Sequence, residues 1–245
     1  AGLLALQVPL RQIILWSLLP GVVCTLLALA LREPSAPARP AVAAVRPSKP
    51  LSWRYRALPV PLQRFLPVVA LFTLGNSSNL FLLLRARELG LPQAQIPLVW
   101  AAISAVAMVG SAPLAAWSDR IGRRRLLVAG YGGYGIFYLL IGQLQSAGPW
   151  LLPLWASYGL FLSATEGVEK ALVADLCEPD RRGTAFGWFN LLTGLMVLPA
   201  SLLFGWLYQG FGPPVAFRFG AACALVAALW LTQLSLASPH RSVDG

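Results

Sequence analysis

Long apolar stretches separated by short polar ones organise this chain. Phe65–Leu84, Leu89–Ser118, Leu126–Thr165, Gly183–Phe217 and Phe219–Pro239 hold no Asp, Glu, Lys or Arg. A bilayer crossing needs about 20 apolar residues. Inside lipid the backbone must satisfy its own hydrogen bonds, which runs of this kind do as helices. The pattern predicts seven crossings, at Gln12–Leu31, Gln63–Leu84, Pro92–Trp117, Arg125–Leu144, Trp150–Leu176, Thr184–Tyr208 and Pro214–Leu236. Pro92 suits a first helical turn, and Gly148-Pro149 is a turn signal between the fourth and fifth.

Composition agrees. Of the 245 residues, 57% are hydrophobic and 11% charged, against roughly 25% charged in a soluble domain. The fold class is an all-α polytopic membrane protein. A net charge of +10 raises the question of nucleic acid, but nothing resembles an aromatic-rich nucleic-acid surface. Basic residues also flank the cytoplasmic ends of membrane spans. No nucleic-acid partner is expected, and membrane lipids are. Cys24, Cys177 and Cys223 lie in or beside spans and read as inert small apolar residues.

The connectors alternate in charge. Fourteen of the 19 basic residues lie in Arg32–Arg64, Arg120–Arg125, Arg181–Arg182 and the tail, and the intervening connectors hold two. The positive-inside rule puts the basic set in the cytoplasm. The N-terminus of this chain then lies outside, and the expected location is the inner or plasma membrane. Residues 32–62 read as a basic Pro/Ala-rich cytoplasmic linker, extended in character, ending in "LSWRYRALPVPLQRF", which suits the membrane interface. Residues 1–31 form one helix before it, 63–238 a six-helix bundle after it, and 239–245 a cytoplasmic tail. The start "AGLLALQVPL" has no Met and no basic leader, and reads as the middle of a longer protein.

Charges inside the spans mark function, because each costs several kcal/mol at membrane depth. The fifth span carries Glu166, Glu169 and Lys170 in "SATEGVEKALVADL". Glu166 and Lys170 are spaced i, i+4 in the favourable order and are expected to pair. Glu166 or Glu169 is then a candidate proton carrier, with Lys170 tuning it or meeting an anionic substrate. A purely structural triad stays open. The second span has a polar patch, Thr73, Asn76, Ser77 and Asn79, which either lines a cavity or bonds across helices. The one histidine, His240, is in the tail. There is no phosphate-binding glycine loop, metal-ligand spacing or nucleophile set, so neither an enzyme nor a cofactor is expected.

"APLAAWSDRIGRRRLL" resembles the cytoplasmic loop signature of the major facilitator superfamily, through Ala115, Asp119, Arg120, Gly122, Arg123, Arg124 and Arg125. Its first position, usually Gly, is Ala here. "EPDRRGTAFGWFNLLTGLMVLPASLLFGWLYQGFGPPVAF" resembles the family's tenth-to-eleventh helix region, and the linker is similar to the one joining its two halves. The resemblance implies the sixth helix, the linker and a C-terminal six-helix bundle built as a 3+3 inverted repeat. It places the two polar spans beside the central cavity. It also implies a conformational latch of Asp119, Arg120, Gly122, Arg123, Arg124, Asp175 and Gly183: Gly122 turns the chain, Asp119 faces the start of the sixth span near Gly183, and Arg123 meets Asp175 or Glu178. Gly130, Gly132, Gly133 and Gly135 suit close packing, and the seventh span suits a lipid-facing helix. The expected function is secondary active transport of a small organic molecule by alternating access, proton-coupled and leaning to export. The partners are the substrate, protons and an N-terminal transporter half. A non-transporting scaffold or sensor on the same fold is the alternative.

Overall fold

The structure is a computed structural model that describes residues 10–30, 54–76, 78–146, 148 and 150–235. The chain divides into two compact units, residues 1–51 and 52–245. In the first, α1 (Leu10–Ala30) is an apolar helix with Pro20 inside it. Most of the linker, Ser77 and the tail lie outside the described residues.

The second unit runs α2 (Val60–Gly75), α3 (Leu80–Glu88), α4 (Ile96–Ile121), α5 (Arg123–Gln143), α6 (Leu151–Asp175), α7 (Arg182–Phe211) and α8 (Pro213–Gln233). Short 3₁₀ turns at Tyr55–Ala57, Gln93–Gln95 and Pro179–Arg181 lead into α2, α4 and α7. Five stretches among the described residues are long and apolar enough to cross a membrane: Val60–Glu88, Gln93–Ile121, Arg123–Gln143, Pro179–Phe211 and Pro213–Gln233. The chain is a multi-pass membrane protein. α6 has 25 residues, about 37 Å of helix, so its length suffices. It differs from the five in carrying Glu166, Glu169 and Lys170 within the body of the helix.

Three expectations change. The second span is not one helix: α2 stops at Gly75, and α3 begins only at Leu80. The polar residues Asn76 to Asn79 supply the break. The arginine loop is hardly a loop, since α4 runs through Asp119 and Arg120 to Ile121, and α5 starts at Arg123. Gly122 alone joins them, at φ +95° and ψ 130°, a region essentially reserved for glycine. Finally, the end of the linker belongs to the bundle. Leu58 is buried, the Tyr55 ring packs edge-on against Trp188 at 5.4 Å, and Arg181 donates to the Ala57 carbonyl at 2.8 Å.

Packing is most extensive between α5 and α8 and between α4 and α6. α8 is therefore more than a lipid-facing helix. Ala216, Ala221, Ala224, Ala227 and Ala228 form its buried face, while Val226, Leu229 and Trp230 stay exposed. Small residues let backbones meet where side chains cannot. A Cβ on Gly75 would stand 2.5 Å from the Cys223 Cβ and 2.7 Å from the Gly220 carbonyl oxygen. α2 and α8 thus cross nearly backbone to backbone. α4 and α7 are the least buried of the spans. Cys177 and Cys223 are buried and Cys24 is exposed. Burial pushes the Cys177 thiol up from its ordinary value, which keeps it protonated and unreactive.

Gly122→Ala is expected to destabilise the bundle by about 1–3 kcal/mol through backbone strain. Gly132→Ala, where an added Cβ meets nothing within 4 Å, is expected to gain up to about 1 kcal/mol from helix propensity. Denaturation of the two variants in detergent measures both.

Candidate functional site

The charged span folds so that its three ionisable residues part company. A helix turns 100° per residue, so Glu166 lies between its neighbours, with Lys170 about 40° to one side and Glu169 about 60° to the other. Glu169 is buried, 8% exposed. The Tyr131 hydroxyl of α5 donates to its Oε1 at 2.8 Å. Glu166 and Lys170 are both exposed. They form no ion pair, contrary to the pairing their spacing suggests. Each charge stands on an open face of the bundle.

The Glu169 bond is one end of a polar and aromatic seam through the bundle. Tyr131, Tyr134 and Tyr138 recur on α5 at steps of three and four, which is one helix face. The Phe72 ring of α2 stacks on Tyr131 with centroids 3.8 Å apart and planes 9° from parallel. Tyr134 stacks on Tyr138 at 4.2 Å. The Tyr134 hydroxyl donates to Asn76 Oδ1 at 3.2 Å, and the Tyr158 hydroxyl of α6 donates to Asn79 Oδ1 at 2.9 Å. The break between α2 and α3 is therefore held at both sides by tyrosines from neighbouring helices. Breaking a helix in lipid frees backbone groups that need partners. The Asn76 amide donates to the Phe72 and Thr73 carbonyls, and the buried Trp155 Nε1 donates to the Leu82 carbonyl at 3.2 Å. Thr73 spends its hydroxyl on Val69 within α2, at 2.8 Å.

A cleft of about 310 Å³ opens between α4 and α6. Its walls include Ala107, Ser111, Ala115 and Asp119 from α4, and Ser163, Glu166, Gly167 and Ala171 from α6, with Arg123 at one end. The two helices touch closely above it: a Cβ on Gly159 would collide with the Ile103 carbonyl. Towards Arg123 they diverge and leave the cleft.

Arg123 closes that end. Its Nη1 lies 2.9 Å from Asp175 Oδ2 and donates to the Ala171 carbonyl at 2.5 Å. Its Nη2 lies 3.3 Å from Asp119 Oδ1. One guanidinium thus ties the ends of α4 and α6 to the start of α5. Asp119 bonds Arg123 rather than the start of α7. Gly183 has open space around it. Arg120 is exposed. Arg124 points elsewhere: its Nε donates to the Leu231 carbonyl at 2.9 Å, and its Nη2 to that of Thr232. It caps the last turn of α8.

Sequence reasoning missed the tyrosines, although "GYGGYGIFYLL" carries a three-and-four spacing that marks one face. It also missed a cluster at the opposite end of the bundle. There Arg85 Nη1 meets Glu88 Oε2 at 3.2 Å, the Tyr208 hydroxyl donates to the same oxygen at 2.6 Å, and Arg85 donates to the Ile141 and Leu144 carbonyls. Among the described residues no group of three His, Cys, Asp or Glu side chains is placed to hold a metal.

Comparison with known proteins adds a family. The profile described as Major Facilitator Superfamily matches residues 65–244. An uncharacterized MFS-type transporter of Methanocaldococcus jannaschii is 35% identical over 180 residues, covering 71% of this chain and 45% of the relative. A probable 4-methylmuconolactone transporter of Cupriavidus pinatubonensis is 32% identical over 141 residues, 56% of this chain and 33% of the relative. A probable galactarate/D-glucarate transporter of Bacillus subtilis is 28% identical over 163 residues, 64% and 36%. The matched part of this chain thus spans a third to just under half of these relatives. No solved structure matches.

Tyr131→Phe is expected to destabilise the bundle by about 1 kcal/mol, the scale of a hydrogen bond between membrane helices. Added to Glu169→Gln it is expected to cost less than it does alone, because the bond is already changed. A double-mutant cycle of denaturation midpoints measures the coupling.

Proposed function

Since this chain belongs to the Major Facilitator Superfamily, we propose that it forms the C-terminal part of a secondary transporter that moves a small organic molecule by alternating access. An N-terminal half supplies the opposing wall. The observation that carries the reading is the Arg123 bridge, which holds α4 and α6 together at the end of a cleft large enough for a small solute. Such a bridge is a bistable element. Three partners share one guanidinium, so separating the helix ends releases all of them together. The open faces of α4 and α7 offer the surface against which a second half would rock.

The proposed sidedness follows the basic residues and puts the Arg123 end in the cytoplasm. The bridge then shuts the cleft on the cytoplasmic side, and the direction we propose is export, with the cleft loading from the cytoplasm when the bridge opens. We propose protons as the coupling ion and Glu169 as their carrier, with Glu166 as the second carboxylate on the path. Glu169 has lost its water and kept a single phenol donor, Tyr131. That phenol can hold the carboxylate and can turn away when the carboxyl carries its own proton. Two relatives are named as probable transporters of 4-methylmuconolactone and of galactarate/D-glucarate, which makes organic acids one candidate substrate class.

In the full-length protein, Arg123→Gln is expected to move the population at least fivefold toward the state open at that end. Distances between spin labels across the two halves, compared with the unmodified protein, measure it; an unchanged distribution removes the latch. In proteoliposomes, Glu169→Gln is expected to abolish the response of substrate flux to an imposed pH gradient while leaving counterflow exchange. Full retention of that response in both Glu169→Gln and Glu166→Gln rejects proton coupling at this site.

A further inference from the structure

The chemistry of the cleft walls limits what it can hold. We propose that the cleft between α4 and α6 binds an organic cation bearing N–H donors, an alkylammonium, rather than an organic acid. This rests on the transport reading and names its substrate class.

The walls present acceptors. Ser111 donates its hydroxyl to the Met108 carbonyl at 2.9 Å, and Ser163 donates to the Leu160 carbonyl at 2.9 Å. Each is a bond to the residue three positions earlier in its own helix. A serine hydroxyl has one proton, so both serines have spent it and turn only lone pairs to the cleft. The Glu166 carboxylate lines the same wall and forms no hydrogen bond or ion pair among the described residues.

The charge balance points the same way. Arg123 is the one basic residue among those lining the cleft. Its positive charge is already set against Asp119 and Asp175, at 3.3 and 2.9 Å. Glu166 adds a negative charge further in. An entering carboxylate would meet Glu166 and two acceptor hydroxyls, with an arginine already occupied. An ammonium would meet an unpaired carboxylate and two hydroxyl oxygens able to accept from its three N–H groups. Lys170, the nearest other cation along α6, does not line the cleft. Apart from Ser118, whose hydroxyl donates to the Ala115 carbonyl at 2.8 Å, the remaining wall is apolar, which suits a short alkyl chain.

The test uses the full-length protein in detergent, with 1,4-diaminobutane and adipate as probes of equal chain length and opposite charge. Binding is read by calorimetry and by thermal shift. The expected result is saturable binding of the diamine, none of adipate, and a Kd for the diamine raised at least tenfold by Glu166→Gln. Glu166→Asp is expected to recover part of the loss, and Lys170→Met to leave the Kd within twofold. Saturable adipate binding, absence of diamine binding, or a Kd indifferent to Glu166→Gln overturns the proposal. Should Glu166→Gln not fold, the contrast of diamine with adipate on the unmodified protein decides alone. The spin-label measurement separates the two readings: halves that still exchange, in a protein that binds adipate, would keep the transporter and lose the cation.

Discussion

Helix ends in a membrane protein leave carbonyls that lipid cannot satisfy, and this bundle answers that constraint with arginine. Arg85 donates to the end of α5, Arg123 to Ala171 near the end of α6, Arg124 to the last turn of α8, and Arg181 to the turn at Ala57. A guanidinium suits the task because it carries five donors in a fixed fork and keeps its charge. It also meets the negative end of the helix dipole. Each contact joins separate elements, so satisfying a carbonyl and fixing a helix against its neighbour are one event. The arginines after Gly122 therefore do more than hold a connector on one side of a membrane. Neighbours in sequence, Arg123 and Arg124 reach α6 and α8 respectively, and Gly122 lets α5 start where both can do so.

The interior is built on two opposite uses of side-chain size. At Gly75 with Gly220, and at Gly159 with Ile103, nothing stands between the backbones. Along α5 the opposite holds. Tyr131, Tyr134 and Tyr138 fill the centre with rings, and the hydroxyls of Tyr131 and Tyr134 reach acceptors outside α5. Large aromatic residues bury much area and still carry one polar end that must be partnered. The acceptors of Tyr131 and Tyr134 are the Glu169 carboxylate on α6 and the Asn76 side chain at the helix break, so the seam joins the carboxyl of Glu169 to the break through α5, and Tyr158 of α6 holds Asn79 on the far side of it.

The cleft follows from the same geometry. α4 and α6 are pinned together at Gly159 and held again by Arg123, with a divergence between. Ser111 and Ser163 fill that divergence without closing it. A site thus arises where two helices are close at one level and separated by small residues at the next. Its polarity is decided by where each serine proton goes and by how many carboxylates share one arginine.

Much of this was legible along the chain. The length of the apolar runs determined the helices and their approximate ends, because a bilayer accepts little else. The basic loop and the carboxylates of "SATEGVEK" announced themselves, since a charge in a greasy setting is costly enough to need a reason. Other features required the folded structure. Spacing allowed Glu166 to pair with Lys170, but packing put Glu169 beneath Tyr131 and left the other two open. The same spacing made Gln63–Leu84 a single span, while tyrosines from α5 and α6 hold it broken at Asn76 and Asn79. The physical reason is one of range. Hydropathy and helix periodicity are local sums that any stretch carries with it, whereas a hydrogen bond such as Tyr131 to Glu169, 38 residues apart, exists only once distant helices have chosen their neighbours.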